Sequence, residues 1–478
     1  MAGDAFAGLE PAGFWRHFAA LTRIPRASHE EEQVVAYVLA WAAAHGFATR
    51  RDDAGNLVVD VPATAGREGA PAAILQGHLD MVCEREPDSP NDPRDGRIHV
   101  VREGDWLTAE GTTLGADDGV AIAAMLAVAD DDGAPHGRLE LLMTVAEEVG
   151  LAGAQALDPA LLTGDLLLNL DSEEDGALTI GCAGSEEHVL TLEAPREPLP
   201  PTAEVVRVTV GGGRGGHSGM DITAGRANAV KLLAHALRGA GDGVRIAAFD
   251  GGASRNAIPR DATAVVAGAG VREAVAAAEA AARRTYRDTD PGIRLAVEPA
   301  AAPAAWGAAA TARFLDLVAT LPAGPLAMSA DFAGLVETSS SLGVARTEDG
   351  RVTVRCLSRS QDDDALAVVA AQIAAAARLA GAACESLGSH PAWRPDPDAP
   401  LLATARRTYA ALFGAEPAVA ATHGGLETAL IGAKRPGLPM LSFGPEIEGP
   451  HAPGERLHVP SVDRFMRLLA ALLDEGSR

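Results

Sequence analysis

The chain has 478 residues and carries 40 Lys+Arg against 65 Asp+Glu, a formal net charge of −25. That length holds two to four domains at roughly 100–200 residues each. A balance this acidic argues against nucleic acid and anionic membrane as partners, because their phosphate fields would repel it. No run of ~18 apolar residues is present to span a membrane, and the stretch holding Asp4 and Glu10 lacks the positive-then-apolar pattern of a secretory signal. Cys83, Cys182, Cys356 and Cys384 are scattered with no C-x-x-C pair, so neither a disulfide framework nor a thiolate zinc site is expected. Lysine occurs only at Lys231 and Lys434 and alanine abounds, which reads as coding bias. A cytoplasmic enzyme is the expectation.

In chain order, Ser28, His29, Glu30 and Glu31 have capping-box spacing and predict a helix running to about residue 44. A strand over 57–61 follows Gly55 and Asn56. Apolar runs at 72–76, 139–145 and 166–170 then each end in polar residues, with a small-residue helix over 120–129 between the first two. Continuous apolar strands alternating with helices predict a mainly parallel sheet covered on both faces. From about residue 186 the pattern changes. Strands over 205–210, 244–249 and 262–266 alternate with helices over 226–237 and 272–284, and a similar pattern recurs over 334–387 with a helix at 364–379. That predicts an α+β domain with one exposed sheet face. A Pro-rich return over 391–400 leads to a helix (402–412), a strand (418–422), a short helix (426–431), a strand (440–443) and a last helix (462–473). The fold class is therefore α/β. A discontinuous catalytic domain, residues 1–185 and 392–478, is interrupted by an inserted α+β domain, residues 186–391.

Open α/β sheets bind ligands beyond the carboxyl ends of their strands. Here those ends carry His78 and Asp80, Glu147 and Glu148, and Asp171, with Asp117 in a Gly-Ala-Asp-Asp-Gly stretch and His451 in a Gly/Pro-rich loop. Each piece alone has an ordinary structural explanation: a strand-end His, a solvated Glu pair, an Asp-Asp-Gly turn. The explanation weakens when all of them end strands of one sheet. His78 and Asp80, two apart, share a face of an extended segment, so Asp80 can orient His78 or accept its proton. Glu147 and Glu148 diverge, so one can ligate while the other serves as base. Nitrogen and carboxylate donors without thiolate suit Zn²⁺, with Mn²⁺ or Co²⁺ as alternatives. Two His and three carboxylates suffice for two ions if one carboxylate bridges.

These residues resemble the dinuclear-zinc exopeptidases related to carboxypeptidase G, and within them the aminoacyl-histidine (Xaa-His) dipeptidases. The resemblance rests on Gln76–Glu84 (QGHLDMVCE), the TLGADDG stretch at 113–119, Glu147-Glu148-Val149-Gly150, Leu170-Asp171-Ser172-Glu173, residues 215–222 (GGHSGMDI), 254–262 (SRNAIPRDA), 423–427 (HGGLE) and 443–451. It covers nearly the whole chain in order. It implies that His78, Asp117 and Asp171 hold one zinc, that Asp117 bridges, and that Glu148 and His451 complete the other. Glu147 would be the general base and Asp80 the support of His78. A cis peptide is implied after Asp117. Many relatives have Asn where this chain has Asp118.

The resemblance also makes His217 the inserted domain's contribution to catalysis, donating to the oxyanion, typically worth ~2.7–4 kcal/mol; that requires the inserted domain to close as a lid. Asn256 and Arg359 would meet the substrate's terminal carboxylate. Gly424 and Gly425 either let substrate approach the backbone or simply precede a helix. The expected activity is hydrolysis of dipeptides, carnosine-like Xaa-His dipeptides foremost. Glu147 takes a proton from a water between the ions, the resulting hydroxide attacks the carbonyl, and the proton passes to the leaving amine. The alternatives are an N-acyl-amino-acid deacylase or a tripeptidase of the same superfamily, or a non-catalytic binding relative. The long insert favours the dipeptidase branch. It either replaces a partner subunit or dimerises, so a homodimer stays open.

Overall fold

The computed structural model describes residues 5–131 and 133–476. The chain forms two compact units. Unit 1 is Met1–Gly181, Pro395–Ala421 and Leu426–Arg478; unit 2 is Cys182–Arg394 with Thr422–Gly425.

Four strands fill the centre of unit 1's eight-stranded sheet: β1 (Ala73–His78), β2 (Leu139–Thr144), β3 (Leu166–Asn169) and β4 (Met440–Ser442). They lie in the order β2-β1-β3-β4 and run parallel. The strands Leu57–Val61 and Ala177–Cys182 flank them antiparallel. Every residue of β1 and β2 is buried, as strands covered on both faces require. Parallel direction delivers all four C-terminal ends to one edge. In register, His78 lies opposite Thr144, Gln76 opposite Asn169, and Ser442 opposite Asn169.

The helix α1 (Ala116–Ala129) is buried from Ala116 through Val128 and packs on β1. Its small side chains let it lie close. Gly77 marks the nearest approach: a Cβ there would meet Asp118 Oδ2 at 2.3 Å and Ala121 Cβ at 2.4 Å. Asp117 and Asp118 have non-helical dihedrals, and the peptide bond between them is cis.

Ser28 does not cap a helix. The helix Glu32–His45 begins later, with Glu31 at its N-cap and no side-chain cap bond. Ser28 Oγ instead donates to Asp80 Oδ2 at 2.7 Å, and Glu31 Oε1 accepts from the N–H groups of His29 and Ala146, both at 2.9 Å. A small four-stranded sheet also went unforeseen. It joins the hairpin Val100–Glu103 and Trp106–Ala109 to a second hairpin, Ile447–Glu448 and Arg456–His458. His451 lies in the loop of that second hairpin.

Unit 2 is built on a nine-stranded antiparallel sheet. Its strands alternate buried and open positions, as in Val205–Gly211. One core gathers Val206, Val208 and Val210 with Leu233 and Leu237, Val271 and Val275, Phe314 and Val318, and Val369 and Ile373 of four helices. Phe249 and Trp306 pack edge-on to Phe314 inside it.

Candidate metal centre

The strand ends of unit 1 converge. His78 Nε2 lies 2.9 Å from Asp117 Oδ1 and 3.7 Å from Asp171 Oδ1. His451 Nε2 lies 2.9 Å from Asp117 Oδ2 and 3.0 Å from Glu148 Oε2. The Asp117 carboxylate thus stands between two imidazoles brought from positions 373 residues apart in the chain. Three sets of ligand atoms lie within 4.8 Å of one another: His78, Asp118 and Asp171; His78, Glu147 and Glu148; and Asp117, Glu148 and His451. Asp118, given no ligand role from the sequence, enters the first set.

Asp80 ties the cluster to its frame. Its carboxylate accepts from the backbone N–H of Glu147 at 3.0 Å and of Glu148 at 3.2 Å, besides Ser28. His78 Nδ1 sits 3.1 Å from the Asp80 carbonyl and 3.4 Å from its carboxylate. Ala146, just before the Glu pair, is held at a φ of 50° in the left-handed region. The bond from Ala146 N–H to Glu31 anchors this turn, and Glu147 and Glu148 each bring a carboxylate oxygen within 4.8 Å of the other and of a His78 ring nitrogen.

The electrostatics are those of packed carboxyls. Burial pushes Glu147 well above the usual range, opposed by the charge of His78 and reinforced by Glu427, Glu148 and Asp117. Asp171 rises for the same first cause, with Asp118 as the largest charge acting on it. Burial also lifts Asp118 well up. Burial opposes ionisation of Asp117 and Asp80 too. Hydrogen bonds from His451 and His78 nevertheless hold Asp117 below the carboxylate range, and those from His78, Ser28 and Glu147 bring Asp80 to about 2. Hydrogen bonds to Asp117 and Glu148 push His451 up to about 11.

Behind the cluster runs a buried ladder. Ser442 Oγ donates to Asn169 Oδ1, Asn169 Nδ2 to Gln76 Oε1 at 2.6 Å, and Gln76 Nε2 to Glu427 Oε2 at 2.6 Å. Thr144 Oγ donates to the same Glu427 oxygen at 2.6 Å. One residue from each of the four parallel strands joins it. Burial raises Glu427 to about 7. Glu427 has no role assigned from the sequence, where it only closes the HGGLE stretch. Neither does Arg26, which donates to the carbonyls of Leu79, Asp80 and Gly115, nor Glu455.

The residues proposed to meet substrate lie in unit 2. The short strand Gly216–His217 pairs with Ala257–Ile258, and Ser218 N–H donates to the Asn256 carbonyl at 2.8 Å. Asn256 itself is exposed, with Ser254 Oγ donating to its Oδ1 at 2.6 Å. His217 Nδ1 accepts from the N–H groups of Gly219 at 3.3 Å and Met220 at 3.1 Å, which puts the ring proton of the neutral imidazole on Nε2. A Cβ on Gly219 would meet His217 Cε1 and the His423 carbonyl at 3.1 Å and Arg359 Nε at 3.2 Å, so these groups crowd one spot. Arg359 is buried, its Nε has no hydrogen-bond partner, and no carboxylate pairs with it among the described residues. Burial, then the charge of Arg255, pushes its pKa down to about 10. Gly424 N–H donates to Thr422 Oγ at 3.0 Å, and Gly425 is exposed.

A cluster of imidazoles and carboxylates at the carboxyl edge of a parallel sheet defines the class: an α/β protein with groups that could hold metal ions. Comparison with known proteins makes the class particular. The profile of peptidase family M20/M25/M40 matches residues 74–475, and the chain belongs to that family; it is a peptide hydrolase. It is 38% identical over 475 residues to the cytosol non-specific dipeptidase of Escherichia coli (strain K12), covering 98% of each chain. Its fold matches the crystal structure of aminoacylhistidine dipeptidase from Vibrio alginolyticus with a TM-score of 0.87 and 36% identity, over 99% of this chain and 98% of that one. The aminopeptidase PepT structure from Bacillus cereus ATCC 10987 shares the fold at a TM-score of 0.60 and 16% identity, over 98% of this chain and 100% of that one. No helix among the described residues is long and apolar enough to cross a membrane.

Proposed function

We propose that this protein is a metal-dependent dipeptidase of the cytosol that hydrolyses the peptide bond of small dipeptides, Xaa-His dipeptides among them. The observation that carries this reading is the convergence of His78, Asp117, Glu147, Glu148, Asp171 and His451 at one sheet edge. The dipeptidases similar over nearly the whole chain support it.

The donor set fits divalent ions. It mixes imidazole nitrogen with carboxylate oxygen, it contains no thiolate, and Glu148 Oε1 is buried with no hydrogen-bond partner. We assign His78, Asp117 and Asp171 to one ion and Asp117, Glu148 and His451 to the other, with zinc the first candidate and manganese or cobalt next. When bound, such a pair supplies Lewis acidity and a water acidified to a pKa near ~7.

The chain's own groups do the rest. Glu147 is the base: its carboxylate accepts the proton of the attacking water and returns it to the leaving amine. Asp80 fixes the backbone from which Glu147, the base, and Glu148, the ligand, project. His217, with its proton on Nε2, is the assigned oxyanion donor. Arg359, buried without an acid partner among the described residues, is the assigned partner of the substrate carboxylate. Asn256, Gly424 and Gly425 complete the proposed substrate contacts.

A panel assay tests the reading. Carnosine, other Xaa-His dipeptides, tripeptides and N-acetyl amino acids are each offered with Zn²⁺, Mn²⁺ or Co²⁺. Dipeptides are expected to turn over fastest, and the breadth among them separates a non-specific enzyme from a histidine-selective one. Preference for an N-acetyl amino acid would sink the proposal.

A further inference from the structure

His451 and Asp117 meet across most of the chain, and something must hold their loops together. His451 is exposed, at a φ of 63°, in the loop of the hairpin Ile447–Glu448 and Arg456–His458. A side chain in such a place has little packing of its own to fix it. Four residues on stands Glu455, which is only 2% exposed. Its Oε2 accepts from the N–H groups of Leu114 at 2.7 Å and Gly115 at 3.0 Å, and its Oε1 from Ala116 at 2.7 Å and Asp117 at 3.3 Å. The Glu455 carbonyl accepts from Thr108 Oγ at 2.9 Å, and its N–H donates to Ala452 O at 3.1 Å. One buried carboxylate therefore gathers four consecutive amides of the turn that presents Asp117, while its backbone closes the loop that presents His451. Arg26 holds the other side of the turn through the Gly115 carbonyl. Besides Glu455, His451 itself joins the two segments, its Nε2 lying 2.9 Å from Asp117 Oδ2.

We propose that Glu455 is a positioning residue. It latches the His451 loop to the Asp117 turn and thereby sets foremost the ion site of Asp117, Glu148 and His451, since Asp117, shared with the other site, keeps its bond to His78 there. A buried carboxylate is suited to this because it can accept several N–H bonds at once. Deleting it also leaves four amides to find new partners. The proposal rests on the two-ion reading given above.

The test is a metal titration of metal-stripped protein with Zn²⁺ by calorimetry, beside the melting temperature of each stripped protein. Wild type is expected to bind two ions. Glu455→Ala is expected to keep one site within a few-fold and to weaken the other by about 10–100-fold, the usual effect of losing a group that orients a ligand. Glu455→Gln, which keeps one acceptor oxygen, should fall between. His451→Ala should weaken the same site, and the double variant should add little to His451→Ala alone, because both changes act through one ligand. Two ions in wild type and two retained at wild-type affinity in Glu455→Ala would overturn the latch alone. So would equal weakening of both sites in Glu455→Ala and Glu455→Gln with a parallel drop in melting temperature, since that marks a merely structural residue. Only one ion in wild type would refute the two-ion reading itself.

Discussion

Buried charge is unbalanced in both units, and in opposite directions. In unit 1, Asp80, Asp117, Asp118, Glu147, Glu148 and Asp171 crowd around two imidazoles. In unit 2, a buried guanidinium, Arg359, has no acid partner among the described residues, and His423 beside it is held neutral. Glu187, by contrast, is buried and takes both Arg255 and Arg355. Burying an uncompensated charge is costly. The proposed function accounts for both imbalances: cations would offset the first, and a substrate carboxylate the second.

The largest expected effect bears on the acidic side. Glu147→Ala should lower kcat by about 10²–10⁴-fold, the usual contribution of a positioned base, with metal content by elemental analysis unchanged. Near-wild-type turnover would remove Glu147 from the base's role. Next comes the cation itself. At free ion 100-fold above Kd, each bound ion adds about 2.7 kcal/mol of stability, so chelation should lower the melting temperature and added Zn²⁺ restore it. A melting temperature indifferent to chelator would leave the carboxylate excess without its counterpart.

The third effect concerns unit 2. Burial, reinforced by the charge of Arg359, depresses His423 to about 4. Between that value and the unfolded pKa of ~6.5 the unfolded chain binds the extra proton, so stability falls as pH drops from ~6.5 toward ~4. The loss is on the order of 3 kcal/mol at most. Denaturant melts at pH 7 and pH 5 should show it, and His423→Gln should flatten the slope. An unchanged slope in that variant would assign the acid sensitivity to other groups. The smallest effect sharpens the cationic side: Arg359→Ala should raise KM by about 10–100-fold, the worth of ~1.5–3 kcal/mol for a charged hydrogen bond. A C-terminally amidated dipeptide should lose nothing further from that substitution. Equal losses for acid and amide would place the carboxylate elsewhere.

Much of this was legible along the chain because it is periodic or terminal. The strands Leu57–Val61 and Ala418–Thr422 fall where apolar runs place them. The helix Ala116–Ala129 was expected only from residue 120, because the non-helical Asp117 and Asp118 begin it. His78, Glu147 and Asp171 announce themselves by standing where buried strands end, and parallel strands must bring those ends to one edge. Local spacing misled at Ser28. A cap bond and a tie to Asp80 are equally open to a serine hydroxyl, and only the arrival of Asp80, 52 residues on, decided between them.

The sequence by itself determined the class of fold, the family and the chemical kinds of donor, since these follow from patterning and from motifs read in order. Tertiary structure alone decided which groups meet. It brought Asp118 beside His78 and Asp171, joined Gln76, Asn169, Thr144 and Glu427 into one ladder, and placed Glu455 on amides 338–341 residues away. The reason is physical. A buried carboxylate is stabilised by whichever donors the fold brings within ~3 Å, and that neighbourhood is a property of packing, with no trace in residue spacing.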